Sequence, residues 1–266
     1  MTHPHSESVL CIDLDGTVMT NPFWPVVFPT VFEDISRQCG CSAEEARNEV
    51  VAENKARLES PSADAALAMD WDDIVQTVSH RLGGVCELSL ERLVSQHALP
   101  PWTSLIDHAD QVLSALAHGG RRRLVASSMG LSKYQFPVLR ALGLFDLFDD
   151  FLMPDITSYL KTDSRFFDAC LAGRNPASFI AIGDKYVDDV ANIKRLGMRA
   201  VLRFPDSTLR AIPPFARPRS AAIGELINAN RQNAELPDAV LPDAVVVDLQ
   251  ELSEVIPQLE RLQRNV

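Results

Sequence analysis

The sequence predicts an α/β protein, a doubly wound, Rossmann-like parallel sheet core interrupted by an all-helical insert. Three observations carry this. Short apolar runs bounded by turn residues recur along the chain, and most are continuously apolar, as strands covered on both faces should be. Segments of helical period lie between them, the order expected of a doubly wound sheet. Between residues 22 and 103 the strand runs stop and helix signals follow one another.

Strands are expected at residues 9–13, 124–127, 151–153, 179–182, 200–204 and 244–247. Inside the insert, Ser42-x-x-Glu45 reads as a capping box opening a helix that runs toward Leu58 and stops before Pro61. Asp70-x-x-Asp73 starts another, ended by Gly83-Gly84, and a third covers 89–97 and stops at Pro100-Pro101. Beyond the insert, 107–117 places Ala109, Val112, Leu113 and Leu116 on one stripe and stops at Gly119-Gly120. A helix over 132–142 carries Pro137 as a kink and ends at Gly143. Segments 165–171 and 188–196 end near Gly173 and at Gly197. The stretch 205–242 is rich in Pro, Ala and Asn and reads as a loop with one helix over 221–230. It contains the pentapeptide 236–240, repeated at once as 241–245, which is too short for a solenoid. A surface helix over 251–262 closes the chain. The expected division is a discontinuous core, 1–21 and 104–266, around a helical unit, 22–103.

Composition narrows the function. Over 266 residues the formal charge is −11, with 46% hydrophobic and 23% charged residues. A general nucleic-acid binder needs a basic face for phosphates, so that class is excluded. Five scattered cysteines make no disulfide framework, and Cys39-Gly-Cys41 lacks a second pair for zinc. No secretory signal and no apolar run long enough for a membrane span is visible, so a cytoplasmic monomer or homodimer is expected.

Chemistry concentrates at the strand ends. The first apolar run closes in Asp13-Leu14-Asp15-Gly16-Thr17. Strand C-termini border the ligand crevice of an open α/β sheet, and two carboxylates there repel each other and prefer a cation. Gly16 suits a turn that a side chain would obstruct. Ser127 and Ser128 end the second run, where a hydroxyl can donate to a phosphoryl oxygen or cap a turn. Lys161 stands before a helix, a place usual for a solvated charge. Ile182-Gly183-Asp184, followed by Asp188-Asp189, repeats the pattern of an apolar strand ending in carboxylates; helix capping is the bland account of one of the last two.

In this order the motifs resemble those of the haloacid dehalogenase superfamily, over nearly the whole chain. Asp13-x-Asp15-Gly16-Thr17 fits the first motif without mismatch, 124–127 the second, and Gly183-Asp184 with Asp188 or Asp189 the fourth. Lys161-Thr162-Asp163 lacks the proline usual in the third. The helical insert then resembles the mobile cap of the branch that includes phosphoglycolate phosphatase, β-phosphoglucomutase and phosphonoacetaldehyde hydrolase.

That resemblance implies a phosphatase acting on a small phosphorylated metabolite. It implies Asp13 as nucleophile forming an aspartyl phosphate, and Asp15 as general acid and base, oriented by Thr17. Lys161 and Ser127 would stabilise charge, with Gly16 and Ser128 beside the phosphate. Mg2+ would sit on Asp13, the Asp15 carbonyl and Asp184, completed by Asp189 in preference to Asp188. The DxD pair argues against dehalogenation. A phosphomutase, or a phosphonatase using Lys55, are the alternatives within the family; an idle binding protein is the alternative outside enzymes. Asn21, Trp24, Arg57, Trp71, His80 and Arg81 are the candidates for substrate specificity, each with an ordinary core or surface account. His97, His108, His118 and Cys11 need no catalytic role.

Overall fold

The structure, a computed structural model, describes residues 8–60, 64–119, 122–234 and 239–263. The tail with His3 and His5, Pro61, Gly120 and the first three residues of the 236–240 repeat lie outside the described residues.

Among the described residues eight strands form: β1 (Ser8–Ile12), β2 (Met19–Thr20), β3 (Ser104–Leu105), β4 (Arg122–Ser127), β5 (Asp150–Leu152), β6 (Phe179–Gly183), β7 (Arg199–Arg203) and β8 (Ala244–Val246). Six of them make one sheet in the order β5-β4-β1-β6-β7-β8, every pair parallel. All six correspond to the expected apolar runs. Alternate residues of a strand face opposite sides, and both sides are covered here. Leu10, Ile12, Leu124, Ala126, Ile180 and Ile182 pack on one face. Val9, Cys11, Val125, Phe179 and Ala181 pack on the other. That double burial is why the runs read as continuously apolar. Each large aliphatic side chain so buried contributes about 1.5–3 kcal/mol.

The helices α1 (Phe28–Cys39), α2 (Ala43–Glu59), α3 (Ala65–Ala68), α4 (Trp71–Arg81) and α5 (Leu90–Gln96) occupy the insert. Ser42, Asp70 and Ser89 cap α2, α4 and α5 by accepting from backbone amides of the first turn, which satisfies otherwise orphaned donors. The antiparallel pair β2–β3 stands where the insert leaves and rejoins the chain, with Met19 opposite Leu105 and Thr20 opposite Ser104. Neither strand is visible in the sequence, each being two residues long. Two helices follow the insert, α6 (Ala109–His118) and α7 (Ser132–Ala141).

Three expectations need adjustment. Helix α6 starts two residues late because Asp107 and His108 both take positive φ. The segment 188–196 is a wide π-type turn, Tyr186–Ala191, before a short helix, Asn192–Arg195. Helix 221–230 extends to Ala221–Ala234.

The register places the chemistry. Ile12 pairs with Ala126 on one side and with Ile182 on the other. One residue further, Asp13, Ser127 and Gly183 therefore come level on the C-terminal edge, beside the strand where the chain reverses its direction across the sheet.

Candidate active site

Asp13 leaves β1 with its amide still donating to the Ile182 carbonyl at 2.8 Å. The chain then coils, Thr17 N and Val18 N both donating to the Leu14 carbonyl. This coil brings Thr17 Oγ1 back to donate to Asp13 Oδ2 at 3.1 Å. Thr17 therefore orients Asp13 and not Asp15, a correction to the sequence reading, since the coil returns its hydroxyl four residues toward the strand end. Gly16 has φ +82°, and a Cβ there would lie 2.6 Å from Asp184 Oδ2. Both facts require glycine.

Asp15 Oδ2 accepts from Gln135 Nε2 at 2.7 Å. Gln135 is 2% exposed on α7, and Gly130 leaves room for it, because a Cβ there would come within 2.1 Å of its amide. Sequence reasoning missed Gln135: a glutamine on a helix is expected to point into solvent until its helix is docked. Lys185 was also passed over, although it follows Gly183-Asp184 directly. Its Nζ pairs with Asp184 Oδ2 at 2.9 Å.

Lys161 reaches the strand ends from the segment after β5. It is 3% exposed. Its Nζ lies 2.8 Å from Asp13 Oδ1 and 2.6 Å from Asp189 Oδ1, and it donates to the Ser127 carbonyl at 3.0 Å. Asp189 Oδ2 accepts from the Lys185 amide at 2.9 Å. The wide turn swings Asp189 back over the strand, into space that a Cβ on Gly183 would fill at 2.1 Å. Asp188 stays partly exposed on the cavity wall and is not among the clustered carboxylates. Ser128 Oγ accepts from the Gly130 amide at 3.0 Å, so it shapes the turn while lining the cavity.

The site is short of positive charge. Five carboxylates, from Asp13, Asp15, Asp184, Asp188 and Asp189, face two ammonium groups, from Lys161 and Lys185. Burial, together with Asp189 and Asp184, pushes Asp13 up to about 8 against the opposing pull of Lys161. Burial raises Asp15 and Asp188 as well. Burial alone would discharge Lys161, but Asp13 and Asp189 overcome it and hold it above the usual lysine range. Oxygen atoms of Asp13, Asp184 and Asp189 lie within 4.8 Å of one another. Among the described residues, Asp184 Oδ1, Asp15 Oδ1, Gln135 Oε1 and Ser127 Oγ are buried here with no hydrogen-bond partner. Hard oxygen donors, excess negative charge and an unpartnered Asp184 oxygen fit a small divalent cation.

A cavity of about 240 Å³ opens on these groups. Of the specificity candidates, Asn21, Trp24 and Trp71 line it. Arg57, His80 and Arg81 do not. Arg57 is held by Glu53, Asp73, Thr77 and the Leu67 carbonyl, Arg81 pairs with Glu49 and Glu53, and His80 is exposed on α4. Long cationic side chains in a helical unit find carboxylates of neighbouring helices first. Cys11 is buried within the sheet, where burial raises its thiol.

A family model described as haloacid dehalogenase-like hydrolase matches residues 8–197. A search of curated proteins returned no match. Among solved structures, a HAD phosphatase from Thermococcus onnurineus superposes with a TM-score of 0.69 at 22% identity, covering 94% of this chain and 98% of that one. A putative HAD-hydrolase from Bacillus subtilis bound to magnesium gives 0.60 at 15% identity, covering 94% and 99%. The L-2-haloacid dehalogenase of Xanthobacter autotrophicus gives 0.58 at 17% identity, covering 95% and 99%. These likenesses concern the fold.

Proposed function

Since the chain belongs to the haloacid dehalogenase-like hydrolases, we propose that this hydrolase is a Mg2+-dependent phosphatase of a small phosphorylated metabolite. One observation carries the reading: the paired carboxylates of the first motif have opposite surroundings. Asp13 is held on both oxygens, by Lys161 and Thr17. Asp15 keeps one oxygen unpartnered at the edge of the cavity. A carboxylate fixed on both oxygens beside a cation is aimed as a nucleophile, and one with an oxygen still unpartnered is placed for proton transfer.

In the first step an Asp13 oxygen forms a bond to phosphorus as the bond to the leaving oxygen breaks. Asp15 gives that oxygen its proton. In the second, Asp15 takes a proton from water, which attacks the aspartyl phosphate and restores Asp13. Lys161 and the Ser127 hydroxyl meet the charge on the phosphoryl oxygens. Asp13, Asp184 and the Asp15 carbonyl would hold Mg2+, which when bound offsets the charge between phosphate and carboxylates. Asp189, which also meets Lys161 and the Lys185 amide, would complete that group. Residues 22–103 act as the cap over a core of 1–21 and 104–266, closing to exclude water. Five free thiols suit a reducing, cytoplasmic setting.

Against the alternatives stand particular residues. Lys55, the amine a phosphonatase would need, is largely solvent-exposed beside Glu59. Asp15 supplies the proton relay that a dehalogenase does not use. The test is phosphate release from p-nitrophenyl phosphate and a phosphometabolite panel, with Mg2+. Asp13→Asn should lower turnover on the order of 10⁴-fold or more while the protein stays folded. Activity that survives the substitution excludes Asp13 as nucleophile.

A further inference from the structure

The walls of the cavity away from the strand ends are aromatic. Phe23, Trp24, Phe28, Trp71 and Tyr134 all line it, brought together from the turn Phe23–Val27, α1, α4 and α7. They touch one another: ring centroids lie 4.9 Å apart for Phe28 and Trp71, 4.9 Å for Trp24 and Phe28, and 5.3 Å for Phe23 and Tyr134. Trp24 is 57% exposed at this wall. A large apolar ring left in water beside a concave aromatic surface marks a place where apolar surface is to be covered.

The same walls carry no charge for a second anion. Among the described residues lining the cavity, the cations are Lys161 and Lys185, and both lie against the site's carboxylates. The other nearby cations are committed. Arg57 is bound to Glu53 and Asp73, and Lys133 to Asp70 and Asp72. Arg47 stacks over Trp24 without lining the cavity. A carboxylate or second phosphate on the leaving group would therefore be desolvated without a partner.

Size completes the case. An apolar cavity of about 150 Å³ takes up one benzene ring. A cavity of about 240 Å³ then suits one ring and a phosphoryl group. Building on the phosphatase reading, we infer that the substrate is a phosphate monoester of an uncharged alcohol bearing one aromatic ring or an apolar group of that size. The phosphoryl group meets Lys161 and Ser127, and the organic group lies on the Phe28–Trp71 wall. Phosphorylated hydroxy acids and nucleotides are disfavoured.

The test compares kcat/KM, with Mg2+, for benzyl phosphate, 2-phosphoglycolate and glycerol phosphate. All three release primary alcohols, so differences in leaving-group chemistry are small. Benzyl phosphate should lead both others by about tenfold or more. Trp24→Ala, an exposed position whose loss does not empty the core, should narrow that lead chiefly through KM. Equal rates, a lead for either anionic or polyol ester, or no turnover of the three while p-nitrophenyl phosphate is hydrolysed overturns the substrate class and leaves the phosphatase reading standing. No hydrolysis even of p-nitrophenyl phosphate defeats the phosphatase reading, and this inference with it.

Discussion

Side-chain amides of Asn21 and Gln135 set the direction of Asp15. Gln135 Nε2 donates to Asp15 Oδ2 at 2.7 Å, and the other oxygen is left for the reaction. Gln135→Ala frees the carboxylate to rotate. The expected loss is about tenfold in kcat on alkyl phosphates, where the leaving oxygen needs a proton. On p-nitrophenyl phosphate, whose phenolate leaves unaided, the first step should be nearly unchanged in single-turnover kinetics. An equal loss on both substrates would assign Gln135 to folding alone. Gly16 offers a second test at this scale. Gly16→Ala forces a Cβ into positive φ, at a cost of about 1–2 kcal/mol, and drives it against Asp184. Calorimetry with Mg2+ should show weakened binding beyond what the small drop in thermal midpoint explains.

Among elements, Arg57 acts as a clamp. Its guanidinium joins α2 to Asp73 and Thr77 of α4 and to the Leu67 carbonyl of α3. Arg57→Met should lower stability by about 1–3 kcal/mol, measured by urea unfolding, with KM within about twofold of the parent. A large rise in KM would restore Arg57 to the substrate site. The helices it joins were legible to different degrees. Caps at Ser42, Asp70 and Ser89 are local signals, so α2, α4 and α5 were read closely. Helix α1 was not, because Pro25 and Pro29 look like breakers; Pro29 sits in the first turn, where its missing N–H costs nothing. The six strands were legible because both faces are buried. The Asp13–Thr17 motif was legible because its residues are contiguous. Gln135 and the aromatic wall acquire meaning only when distant segments meet, and no local pattern announces that meeting. Asp189 was preferred over Asp188 on family pattern, and the wide turn from Tyr186 is what brings its side chain inward.

Across the whole molecule, charge and packing pull against each other. One apolar core runs without a break from the sheet face through Leu14 and Val18 into the insert's Phe28, Ile35 and Val78. The same chain gathers five carboxylates at the edge of that core. Burial raises Asp13 from 3.8 to about 8, so without a cation the folded state holds protons that the unfolded state releases. A raised carboxylate favours the fold below its unfolded value, and that contribution is lost as pH climbs through about 8. Mg2+ competes with those protons. The rise in thermal midpoint on adding Mg2+ should therefore grow between about pH 4 and pH 8. A rise independent of pH would place the cation elsewhere.

The nucleophile is the most direct object of measurement. Asp15→Asn protein mixed with p-nitrophenyl phosphate and Mg2+, quenched in acid and digested, should carry a phosphoryl group on the peptide containing Asp13. The leaving group needs no proton, but the water step does. A burst of nitrophenol equal to the enzyme concentration should accompany it. Phosphate release with no burst and no phosphoryl group on Asp13 would contradict the aspartyl-phosphate account.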